Sequence, residues 1–147
     1  MVERTRELEM SGFEEYAKMA GDLAPKQARN LARSTVHAVA GEARKMMRKE
    51  APKDEGTLRR AIKTKRRSMR GSLAVSDVRI EHGRQAKHDA WYWHMIEFGS
   101  QNKSARPYIR PTADKLEQEL PRLWSEQFGK KLEKALAKLH AQQGVKS

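Results

Sequence analysis

Three histidines, one isolated carboxylate and a run of cations are the residues of this sequence that could do chemistry. His82, His88 and His94 recur at six-residue steps, with Asp89 beside the middle one. That spacing fits neither one helix face nor a zinc signature, so loop histidines are the plainer reading, with His94 packed or hydrogen-bonded in the core. Glu97 is the only carboxylate inside the apolar run Trp91–Phe98. It could be a perturbed acid, but a buried salt bridge to Arg106 or Arg110 is favoured. No Gly-x-Ser-x-Gly elbow and no Gly-rich phosphate loop is present. The chain has no cysteine, which excludes thiol catalysis, disulfides and cysteine zinc sites. The expectation is no catalytic residue, no cofactor and no metal; a small hydrolase using Glu97 and a loop histidine is a third-ranked reading.

The cations are unevenly spread. The 147 residues carry a net charge of +12, and residues 29–70 hold 14 of the 31 basic but only 4 of the 19 acidic side chains. Arg59, Arg60, Lys63, Lys65, Arg66, Arg67 and Arg70 form the densest part and are the candidate charged contact surface. Such a patch suits an acidic protein face or phosphates. The plainer alternative is a solvated helix face and a basic hairpin edge. No aromatic interrupts the patch, which argues against single-strand binding, and no recognition helix is evident. A protein contacting the phosphate backbone without sequence specificity remains the alternative function.

Several elements must position these residues. Phe13, Tyr16 and Met19-Ala20 suggest a short helix over 11–21. After Pro25, Leu31, Val36, Val39, Ala43 and Met46 recur at helical steps to about Lys49, predicting an amphipathic helix that Pro52 stops. Gly56 is expected at positive φ in a turn, with one helical turn over Thr57–Ile62. Strands over 62–69 and 73–80 would bracket an Arg70-Gly71 turn, and 81–90 reads as a loop. The run Trp91–Phe98 fits a buried strand or a short buried helix equally. Pro111 should open a last helix, with Asp114 in its first turn and a kink at Pro121. The fold class is therefore α+β: long amphipathic helices packed on a small antiparallel sheet, with a kinked C-terminal helix. One domain spans 1–147, with frayed tails at 1–10 and 143–147. No apolar run is long enough to span a bilayer, and a signal-peptide pattern is lacking. Neither a membrane nor a small-molecule substrate is expected as partner.

Two blocks carry a resemblance. Ala51-Pro52-Lys53-Asp54-Glu55-Gly56-Thr57-Leu58-Arg59-Arg60-Ala61-Ile62 is one; Tyr92–Ser100 followed by Arg106-Pro107-Tyr108-Ile109-Arg110-Pro111-Thr112-Ala113 is the other. Together they resemble the tail-component family of long-tailed, lambda-like bacteriophages, the head–tail joining, tail-completion or minor tail proteins. Ser100 stands where threonine is commoner, Thr112-Ala113 replaces a direct Pro-Ala, and the basic run at 63–70 lies outside the motif. The motif positions, Pro52, Gly56, Leu58, Ile62, Glu97, Phe98, Gly99, Pro107, Tyr108, Arg110 and Pro111, read as turns and core. Leu58, Ile62, Trp93, Ile96, Phe98, Tyr108 and Ile109 should fill a sheet–helix core. The resemblance implies a structural protein of phage or prophage assembly, acting as a subunit of a homo-oligomeric ring at the neck. Its implied partners are other phage head–tail or tail proteins, with possible contact to the DNA backbone. Its implied location is the virion, and the host cytoplasm during assembly.

Overall fold

The computed structural model describes residues 25–53, 56–67 and 74–144. The expected helix over 11–21 and the Arg70-Gly71 turn lie outside the described residues. The elements are α1 (Pro25–Glu50), α2 (Gly56–Ala61), β1 (Ile62–Arg66), β2 (Ser76–Ile80), α3 (Trp93–Phe98) and α4 (Ile109–Gly144). The fold is α+β, two long helices with a two-stranded antiparallel sheet.

α1 forms because its apolar residues share a face at steps of three and four; Leu31, Thr35, Val39, Ala40 and Ala43 are buried. α4 packs along it in antiparallel sense. Lys115 pairs with Glu50 at one end, while Leu31 packs on Phe128 and Leu132 towards the other. Pro121 sits inside α4, which is helical from Ile109 to Gly144 and so ends within the expected tail.

The sheet register pairs Ile62 with Ile80, Thr64 with Val78 and Arg66 with Ser76. Ile62, Val78 and Ile80 join Ala51, Leu58, Ala61, Ala90, Ile96 and Tyr108 in one core at the C-terminal end of α1. Backbone groups in this junction are tied by side chains. Arg48 donates to the Ile62 carbonyl at 2.7 and 3.2 Å, and Arg59 to the Ala51 carbonyl at 2.9 and 3.3 Å. Arg59 thus satisfies a carbonyl just beyond the end of α1, where helices leave such groups without a partner.

Three local expectations are corrected here. Gly56 is the first residue of α2 and not at positive φ; the positive-φ glycines among the described residues are Gly83 and Gly99. The run 91–98 is helical from Trp93, and Phe98 and His94 point to solvent instead of filling the core. A helix this short can bury only one stripe, here Ile96 and Glu97. Finally, α4 begins at Ile109, so Asp114 falls past its first turn and that turn contains no acidic residue.

Candidate functional site

The role expected of Asp114 belongs to Glu97, delivered from another element. Its carboxylate is 1% exposed. Oε2 accepts from the backbone N–H of Tyr108 at 2.7 Å and of Ile109 at 2.8 Å. Oε1 accepts from the N–H of Arg110 at 3.1 Å and from its Nε at 3.2 Å. Burial pushes the Glu97 carboxyl up, but these N–H groups and the Arg110 side chain outweigh it, leaving Glu97 below the ordinary carboxylate range. The carboxylate therefore satisfies the open amides at the N-terminus of α4 and faces its positive end. Of the salt-bridge partners expected, Arg110 pairs with Glu97. Both carboxylate oxygens of Glu97 are directed at the fold, which makes it a clamp and not an acid poised for a substrate.

The rest of the second block completes the clamp. Arg110 also donates to the Glu97 carbonyl at 3.2 Å and lies over the Phe98 ring, 5.4 Å from its centre. Tyr108 is fully buried and its hydroxyl donates to the Trp93 carbonyl at 3.3 Å; burial, then the Glu97 charge and Tyr92, push its ionisation far up. Thr112 Oγ1 donates to the Tyr108 carbonyl at 2.6 Å. Gly99 has φ 82°, and a Cβ there would lie 2.9 Å from the Ala105 nitrogen and 3.1 Å from the Lys103 oxygen. Only glycine meets both conditions. Pro111, third in α4, falls where a missing N–H costs nothing. Pro52 is half-buried between α1 and α2, and Pro107 is exposed before α4.

The described part of the basic run is divided between the two faces of the sheet. Strand alternation turns Ile62, Thr64 and Arg66 towards α1, and Lys63, Lys65 and Arg67 away from it. On the outer face the register sets Lys63 beside Arg79 and Lys65 beside Asp77. Asp77 accepts from Arg67, and from Arg79 at 3.3 Å. The Arg67 hydrogen bond is the main cause that holds the Asp77 carboxyl below its ordinary value. This face lines an open trough of about 1030 Å³ that includes Lys63, Lys65, Arg67, Asp77, Arg79 and His82. Arg60 is exposed, Arg59 is engaged at the end of α1, and Arg70 lies outside the described residues.

A further surface is not evident from the sequence. Trp91, Met95 and Phe98, at steps of four and three, are 58%, 41% and 65% exposed. They face outward from the segment whose other side holds Ile96 and Glu97. Helical spacing of the outward residues is the available signal, but the run's two-sided apolarity hides it. The histidines do not converge. His82 and His94 are exposed and His88 is half-buried, and among the described residues no group of three or more His, Cys, Asp or Glu could hold a metal ion. No described helix is long and apolar enough to cross a membrane.

Comparison with known proteins returns one relationship. A family model described as "Bacteriophage HK97-gp10, putative tail-component" matches residues 14–99. The match contains the first motif block and runs through Gly99 of the second. No curated protein and no solved structure matches.

Proposed function

We propose a function from the premise that this chain belongs to the HK97-gp10-like family of phage tail components. It is a structural protein that joins head to tail, or completes the tail at the neck, through protein–protein contacts. The observation that carries this reading is the outward apolar face of Trp91, Met95 and Phe98, mounted on a rigid clamp. Exposed aromatics in a fixed frame are what an interface uses as anchors, because little side-chain freedom is lost on docking. The charged outer face of the sheet, with Lys63, Lys65 and Arg67, would steer an acidic neighbour into register. In this reading the subunits form a homo-oligomeric ring in the virion neck or tail, and neighbours cover the apolar face. The protein does no catalysis and needs no cofactor.

The test is electron microscopy of lysates from the parent phage with this gene stopped by a nonsense codon. Filled heads lying beside separate, full-length tails are the expected outcome; normal infectious particles would overturn the reading. Complementation with the W91S/F98S double variant should give the same unjoined parts although the purified protein stays folded. Reversing Lys65 and Arg67 to glutamate tests the charged outer face in the same assay, with reduced joining expected.

A further inference from the structure

A different set of cations collects at the seam where α1, β1 and α4 meet. α1 presents His37 and Arg44 two helical turns apart on one side. His37 Nδ1 lies 3.3 Å from Ser76 Oγ, and the sheet register sets Ser76 directly opposite Arg66. Lys131 comes from α4, the helix packed along α1. The positive charges of Arg66, Arg44 and Lys131 all act on this imidazole; together with burial, the leading cause, they lower its pKa. Each of the four groups thus comes from an element the fold holds in place.

Among the described residues, no carboxylate forms an ion pair with this cluster. Arg67, Arg79, Arg110, Lys115 and Arg122 each pair with a carboxylate. Arg44, Arg66 and Lys131 pair with none among the described residues. In addition, Arg44 Nε is shut off from solvent with no hydrogen-bond partner among those residues. A buried guanidinium N–H without an acceptor is costly, and so are like charges drawn together without a counter-ion. The clustered like charges are relieved by an oxyanion that approaches the exposed Arg66 and the half-buried Lys131.

We infer that His37, Arg44, Arg66 and Lys131, with the Ser76 hydroxyl, bind phosphate groups of a nucleic-acid duplex backbone. Two guanidinium forks, an ammonium and a hydroxyl supply more donors than one carboxylate could use, and phosphate oxygens match the forks. No aromatic ring is among these residues, so the contact is to the backbone and carries no base preference. The net charge of +12 draws a polyanion to the site. The inference stands independently of the head–tail reading.

The experiment follows duplex binding by the full chain from about 50 to 200 mM salt. It compares the native protein with R66Q/K131Q and with K49Q/K138Q, which removes equal charge from exposed positions on α1 and α4 away from the seam. The seam variant should bind about tenfold more weakly than the control variant. Its plot of log affinity against log salt should be shallower by about 0.9 for each phosphate it no longer neutralises. In the native protein, inorganic phosphate should move the His37 ring signals and raise its pKa, because an anion favours the charged imidazole. Equal losses in the two double variants, or no duplex binding by the native protein, would overturn the inference. So would a His37 that responds to a polyglutamate peptide and not to phosphate, which would assign the seam to an acidic protein partner. The His37 titration uses the native protein and so decides even if a variant misfolds.

Discussion

The two ends of this molecule are built on different principles. At the junction of α1, α2, the sheet, α3 and the start of α4, Leu58, Ala61, Ile62, Ala90 and Tyr108 are fully buried, and the buried carboxylate of Glu97 accepts four hydrogen bonds. Along the arm, where the first half of α1 lies against the second half of α4, the buried apolar cluster is Leu31, Phe128 and Leu132. Trp124 stacks on Phe128, yet its indole N–H is buried without a partner among the described residues. Beside it an open groove of about 600 Å³ is lined by Leu31, Ala135 and Leu139 under Lys131, Lys134 and Lys138. Among the described residues the junction is closed, and the arm keeps an open groove. A family of structural parts gains from this division. A complete junction holds the outward aromatic residues in a fixed frame, while an arm with modest burial opens locally at lower cost.

The sharpest break in this contrast is Glu97→Gln. It removes the charge and turns an amide N–H₂ group towards backbone N–H donors, so about 3–5 kcal/mol should be lost in urea unfolding. The same residue sets the acid limb. Because the folded-state pKa of Glu97 is depressed, its contribution is complete above the ordinary carboxylate range and is lost as pH falls through the lower folded value. The native protein should therefore lose stability on acidification more steeply than Glu97→Gln. At the arm, Leu132→Ala should cost about 2–3 kcal/mol, near the low end for a buried leucine because the open groove lets neighbours relax. Hydrogen exchange should then rise along residues 25–35 and 125–140 while amides 108–110 stay protected. Equal loosening of both ends would mean one cooperative unit, and the contrast would fall. Glycine substitutions give the smallest effects and opposite signs. Gly99→Ala meets backbone atoms at positive φ and should destabilise by about 1–3 kcal/mol. Gly41→Ala, inside α1 with nothing within 4 Å of the new Cβ, should stabilise by about 1 kcal/mol, read as a higher thermal midpoint.

Much of the junction is legible in the residues. Gly99, Tyr108, Leu58 and Ile62 carry their reasons locally, in a forced reversal or an apolar side chain in a half-polar context. α1 follows from spacing alone. The departures share one cause. The run around Phe98 and His94 is apolar on both sides, which favours the core for both, and nothing local says which stripe of a one-and-a-half-turn helix packs inward. The neighbours of Gly56 imply a turn's φ, although α2 begins on it. The division of the cations between the two faces of the sheet is not legible locally either. Strand alternation divides Lys63, Lys65 and Arg67 from Arg66, and Arg59 is occupied by the Ala51 carbonyl.

By itself, then, the sequence determined what depends on neighbours along the chain: the two long helices, the glycine at 99 and the concentration of positive charge between residues 29 and 70. Each follows from periodicity, backbone sterics or counting. Tertiary structure decided everything that depends on approach through space. It brought Glu97 under the amides of residues 108–110, turned Trp91, Met95 and Phe98 outward, and gathered His37, Arg44, Arg66 and Lys131 from three elements. A charge acts on whatever lies within a few ångströms, and only the packed chain specifies what that is.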